Sequence, residues 1–197
     1  MLRVGLTGGI ATGKTYVLDQ FRKRGVPCID SDELAHGVTA AGTEATAAIA
    51  ERFGQGMLAP DGSVDRTRLG PIVFADPAAR RDLEAIVHPA VYRAIAAGLR
   101  GFERLNAYDL AVVDVPLLFE TGHERDFDRV IVTVCPAEMQ IARLRERGMS
   151  EPDARLRLAA QWPTERKASH ADFVIRTDRT FTETDAQVEQ FLGRVLP

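Results

Sequence analysis

Residues 8–15, Gly8-Gly9-Ile10-Ala11-Thr12-Gly13-Lys14-Thr15, constrain this chain more than any other stretch. Glycine, four residues, then Gly-Lys-Thr is the spacing of the Walker A phosphate-binding loop. Glycines let successive backbone N–H groups turn inward with no Cβ in the way. Such a nest at a helix N-terminus holds phosphate through donors and dipole together. Lys14 can bridge the outer phosphates as a point charge, and the Thr15 hydroxyl can hold Mg²⁺. The flanks supply the required context. Val4-Gly5-Leu6 reads as a strand, and after the loop Val17, Leu18 and Phe21 share one face of a helix that Gly25 stops. A chance glycine-rich turn is the bland alternative, and the strand–loop–helix order argues against it.

The length of 197 residues, 45% of them apolar, suits one α/β domain with an insertion or lid. A net charge of −3 calls for no nucleic-acid partner and no anionic membrane. Cys28 and Cys135 lie in apolar runs without metal spacing and read as core thiols; the four histidines are scattered, so no zinc site is expected. No apolar run approaches the ~20 residues of a membrane span, and the N-terminus enters a strand at once, so a cytoplasmic enzyme is the default expectation. Lys14, Lys23 and Lys167 are the only lysines among 25 basic residues, so positions matter more than totals.

Residues 26–29 read as a second buried strand, followed by Asp30-Ser31-Asp32-Glu33. Acids here suit a helix N-terminus, with Asp30 or Ser31 as cap. The carboxyl end of a strand in an open α/β sheet is also where ligands gather. Asp32 is thus either a helix cap or a base for an acceptor hydroxyl. Residues 40–106 then predict four helices in a row: 43–53, 66–74 with Asp65 as cap, one starting at Asp76-Pro77, and one opened by Pro89. An all-helical insertion of this kind shapes an acceptor pocket.

The sheet resumes at 110–115, where Asp114 ends an apolar run. It is either a capping carboxylate or the acid that touches Mg²⁺ directly or through water. Residues 116–120 read as a loop with exposed apolar groups. Another strand covers 129–135, and Arg143 and Arg147 follow on one helical face, with Arg155 and Arg157 on a second helix. These arginines either solvate their helices or belong to a lid that neutralises a transferring phosphoryl group. A strand at 172–175 and a helix capped by Thr182-Glu183-Thr184-Asp185 close the chain. The expected fold is α/β of the P-loop NTPase type: a parallel five-stranded sheet with helices on both faces. Residues 1–31, 107–136 and 170–197 form its nucleotide-binding core, 32–106 the helical acceptor-binding insertion, and 137–169 the lid. No Asn-Lys-x-Asp stretch reads guanine, and the chain is too short for a motor. That leaves a small-molecule kinase, with a nucleotide-holding regulator as the rival that needs neither Asp32 nor the lid arginines.

The motifs taken in order resemble bacterial dephospho-CoA kinases along nearly the whole chain. The resemblance rests on residues 7–15, on 29–33, on Leu83-Glu84-Ala85-Ile86-Val87-His88-Pro89, on Val113 to Glu120, on Arg143, Arg147 and Arg157, and on Gln161, Lys167 and 171–175. It implies transfer of the γ-phosphoryl of ATP to the 3′-hydroxyl of the dephospho-CoA ribose, the last step of coenzyme A synthesis, with Mg²⁺ as cofactor. A kinase for another small acceptor, such as a nucleoside monophosphate, is the alternative. ATP would contact Gly8, Gly9, Ala11, Thr12, Gly13, Lys14, Thr15 and Tyr16, the last through its backbone N–H. Asp32 becomes the expected base, with Lys14, Arg143 and Arg147 catalytic and Thr15 and Asp114 on the metal. His88 and Gln161 stand as substrate contacts, His88 with packing as its other reading. The chain departs from the family at Arg176-Thr177-Asp178-Arg179, where Asp-Asn and a small residue are usual, and at Tyr16, where a small hydroxyl residue is. A monomer or small homo-oligomer is expected.

Overall fold

The computed structural model describes residues 1–196. Strand β1, Leu2–Gly8, is buried without a break from Val4 onward, as a strand covered on both faces must be. It lies at the centre of a five-stranded sheet in the order β2-β3-β1-β4-β5. The others are β2 (Cys28–Asp30), β3 (Leu110–Asp114), β4 (Arg129–Val134) and β5 (Phe173–Arg176). β1 pairs parallel with both β3 and β4, setting Leu6 beside Asp114 and Gly8 beside Thr133. The segments that leave β1, β3 and β4 therefore emerge at one edge of the sheet, the edge where α/β folds bind ligands.

One face of the sheet is covered by α1 (Lys14–Lys23) and α9 (Phe181–Val195). Val17, Leu18 and Phe21 join Val188, Phe191 and Leu192 against Val4, Leu6, Val112, Ile131 and Ile175. On the other face, a Cβ at Gly5 would lie 3.1 Å from both Leu118 and Phe127. That gap lets the segment after β3 pack inward. Leu118 is 0% and Phe119 6% exposed, so 116–120 is not the exposed loop its sequence suggests. Helices α6 (Ala137–Glu146), α7 (Glu151–Ala159) and α8 (Thr164–Ala168) follow β4. These elements form one compact unit, Met1–Ile29 with the chain from Gly101 onward.

The second unit, Asp30–Arg100, is helical. It holds α2 (Ser31–Val38), α3 (Glu44–Phe53), α4 (Arg66–Ala75) and most of α5 (Pro77–Leu105). Ile49, Val64 and Leu69 form its core, with Phe53, Leu83 and Val87 packed against them. Thr43 and Asp65 cap α3 and α4 as the sequence predicts. Pro89 does not begin a fourth helix. It lies inside the 29-residue α5. Proline removes one i→i−4 bond, but Pro89 and Ala85 are both exposed, so water can take the released carbonyl while Val91, Ile95 and Leu99 hold the buried face. The cap of α9 also differs: Thr180 and Glu183 form a capping box two residues ahead of Thr182. Among the described residues, no helix is long and apolar enough to cross a membrane.

Candidate active site

The loop leaving β1 turns with little room to spare. A Cβ on Gly8 would stand 2.2 Å from Thr133 Oγ1, and one on Gly9 would stand 2.8 Å from Gln140 Oε1 and Thr164 Oγ1. Both positions thus need glycine on steric grounds. Ala11 is held in the left-handed region at φ 58°, a strain of about 1 kcal/mol for an L-residue. Gly13, at φ 86°, stands at the N-cap of α1, and among the described residues no side chain caps that helix. The first-turn amides of α1 are orphan donors at the positive end of a helix dipole, a ready site for an anion. Lys14 and Thr15 belong to that turn, half-exposed and exposed, and neither side chain is engaged in an ion pair or hydrogen bond among the described residues.

The outward-facing backbone of the loop is taken up by side chains. Thr12 Oγ1 donates to Gly9 O at 2.7 Å and shares a 2.7 Å bond with Thr133 Oγ1. Thr177 Oγ1 donates to Thr12 O at 2.7 Å. Gln161 Oε1 accepts from Ile10 N at 2.8 Å. Arg143 donates to Ala11 O at 3.0 Å through Nη1 and to Thr177 O at 2.6 Å through Nη2. Arg143 is half-buried here and braces the loop, whereas Arg147, at the C-cap of α6, and Arg157, on α7, are exposed. Lys167 is 0% exposed; it donates to Glu120 Oε1 and Pro116 O at 2.9 Å each and to Gly8 O at 3.4 Å. Burial pushes its ammonium below the usual range, with Glu120 opposing the shift. The backbone N–H of Trp162 donates to the same Glu120 oxygen at 2.8 Å. The sequence marks Lys167 as one of three lysines in an arginine-rich chain and as part of the family resemblance, and neither reveals its burial.

Tyr16 is turned toward α9. Its hydroxyl donates to Asp185 at 2.7 Å, and its ring lies 4.7 Å from that of Phe181. Asp114 ends β3, buried at 6% exposure. The two cysteines are free thiols, and burial pushes that of Cys28 up to about 12. Among the described residues, no group of three or more His, Cys, Asp or Glu side chains is placed to hold a metal.

In the helical unit, Asp30 caps α2, accepting from Asp32 N at 2.8 Å and Glu33 N at 3.3 Å. Asp32 is therefore not the cap; it is exposed, and its carboxylate takes no hydrogen bond or ion pair among the described residues. His88 lines a cavity of about 310 Å³ within this unit, together with Ile49, Val64, Leu69, Leu83 and Arg66. The Arg66 guanidinium is fixed by donating to Ala35 O at 2.8 Å and Thr39 Oγ1 at 2.9 Å. The walls are mainly apolar, with the Arg66 guanidinium, the Glu84 carboxylate and the His88 imidazole among them, which suits a long chain bearing polar groups.

Comparison with known proteins adds a family to this geometry. A model of the dephospho-CoA kinase family matches residues 2–183. A dephospho-CoA kinase of Synechococcus elongatus is 43% identical over 196 residues, covering 98% of this chain and 92% of that protein. A crystal structure from Thermus thermophilus superposes with a TM-score of 0.84 at 30% identity, covering 100% of this chain and 98% of the other. The dephospho-CoA kinase from Campylobacter jejuni gives 0.74 at 26% identity, covering 98% and 96%.

Proposed function

Since the chain belongs to the dephospho-CoA kinase family, we propose how its own residues divide the work of that reaction. The enzyme transfers the γ-phosphoryl of ATP to the 3′-hydroxyl of the dephospho-CoA ribose, giving coenzyme A and ADP, the final step of coenzyme A synthesis. A nucleoside monophosphate is not the favoured acceptor. The observation that carries the donor assignment is the N-terminus of α1, with Gly13 left-handed and, among the described residues, no side-chain cap and no partner for the Lys14 ammonium.

The amides around Gly13, Lys14 and Thr15 hold the β- and γ-phosphates, and Lys14 neutralises the charge that builds on the oxygen bridging them. The Thr15 hydroxyl and the Asp114 carboxylate suit Mg²⁺, which keeps several waters and takes one or two protein oxygens beside the substrate phosphates. Thr15, in the first turn of α1, and Asp114, at the end of β3, would supply two such oxygens. Bound there, the ion would offset charge on the β- and γ-oxygens. Asp32 accepts the proton of the ribose 3′-hydroxyl as the oxygen attacks phosphorus in line with the departing ADP. Its exposed carboxylate, relieved of capping by Asp30, supports that role. Arg147 spreads the negative charge of the transferring phosphoryl group, and Arg143 fixes the loop beneath it. The cavity beside His88 receives the pantetheine arm. Two free thiols suit a reducing compartment, and we place the enzyme in the cytoplasm.

Steady-state kinetics of Lys14→Ala and Asp32→Asn test the assignment. Each should lower kcat by roughly 10²-fold or more, as loss of a positioned electrostatic or acid–base group does. Near-normal turnover of D32N would make Asp32 only an acid of the α2 first turn.

A further inference from the structure

The connection from α7 to α8 grips the phosphate loop at two points. Gln161, two residues past the end of α7, holds Ile10 N–H at 2.8 Å. Lys167, on α8, reaches Gly8 O, Pro116 O and Glu120 Oε1, so all three ammonium protons have acceptors. Gly8 is the last residue of β1, and Pro116 follows Asp114 by two residues at the end of β3. One buried ammonium thus ties the start of the phosphate loop to the strand end that carries the candidate metal acid. Glu120 holds that ammonium and is itself oriented by Trp162 N–H at 2.8 Å. A buried lysine is costly unless paired and hydrogen-bonded. An apolar residue would fill the same space without that cost, but it could not bond two carbonyls from separate strands.

We propose that Lys167 and Gln161 are positioning residues for the donor nucleotide. They fix the phosphate loop against the β3 end, Glu120 serving as the counter-charge that keeps Lys167 in place. The inference rests on the reading of residues 8–15 as the ATP site. Neither residue touches the phosphates. They act through the backbone of Gly8 and Ile10, and a small displacement there is enough to misplace the reacting groups. Loss of the clasp should therefore weaken the use of ATP and spare the acceptor.

The test is steady-state kinetics on the full chain with Mg-ATP and dephospho-CoA, for Lys167→Met, the double variant Lys167→Met with Glu120→Gln, and Gln161→Ala. K167M should raise the KM for ATP by roughly tenfold or more, with the KM for dephospho-CoA unchanged within about twofold. K167M leaves the half-buried Glu120 carboxylate without its cation and should melt at lower temperature. The double variant removes the stranded charge, so its melting temperature should recover while its KM for ATP stays raised. A purely structural pair would recover both together. Q161A disturbs no buried charge and should raise the KM for ATP alone; if both Lys167 variants fail to fold, Q161A decides. Unchanged KM for ATP in every folded variant would overturn the proposal. An unaltered protein that releases no ADP with ATP and dephospho-CoA would instead overturn the reading of the site itself.

Discussion

Asp30 and Asp32 stand two residues apart, and their surroundings separate them. Asp30 accepts two backbone N–H groups at the start of α2, whereas the Asp32 carboxylate is exposed. Asp30→Ala should therefore lower stability by about 1 kcal/mol, the usual cost of losing an N-cap. Asp32→Asn should leave the melting temperature in place while turnover falls. Thermal unfolding of the two variants checks this, and the reverse ranking would contradict the division of roles. The residues that a phosphate loop requires were legible, because glycine spacing is a steric code: Gly8 and Gly9 have no room for a Cβ. The ambiguity at Asp30 and Asp32 was not, since both carboxylates suit a first helical turn and only the bond geometry separates them. Arg143 shows the same limit. An arginine on a helix reads as surface, yet its guanidinium is drawn to Ala11 O and Thr177 O, acceptors 132 and 34 residues away in sequence.

Strands were easier to read than helix ends. β3 and β4 are short apolar runs whose burial on both faces leaves that signature in the sequence, whereas the edge strand β5 alternates buried and exposed residues. The helices of 40–106 were legible where a cap marked them, at Thr43 and Asp65, and misread where proline stood for a boundary at Pro89. Proline stops a helix only if the freed carbonyl cannot find a partner, and an exposed turn provides one in water. Ties between elements were not legible at all. Arg3 in β1 bonds Asp128, just before β4, through its own backbone N at 2.8 Å and its guanidinium at 3.2 Å. That pair holds the Asp128 carboxyl below its usual range, chiefly through the hydrogen bond from the Arg3 side chain. Its stabilisation is full above the unfolded carboxyl pKa near 3.9 and is lost as pH falls through the lower folded value. With both side chains more than a third exposed, the effect should stay below about 1 kcal/mol. Asp128→Asn should then flatten the fall of melting temperature with acid below about pH 4; an identical acid limb would show that the pair contributes nothing.

At the scale of the molecule, the chain divides its chemistry between two compact units. The sheet unit carries the phosphate loop, Asp114 and the arginines of α6 and α7; the helical unit carries Asp32 and the cavity beside His88. A loop that binds phosphate would serve a switch or a motor equally well. What makes this chain a kinase is the family to which nearly its whole length belongs. The most direct measurement gives the purified protein Mg-ATP with dephospho-CoA, AMP or CMP, follows ADP release, and locates the new phosphate by phosphorus NMR. ADP should appear at a catalytic rate only with dephospho-CoA, with a phosphomonoester on the ribose 3′-oxygen. Acceptor-independent ADP release, a preference for AMP or CMP, or phosphate at any other position would contradict it.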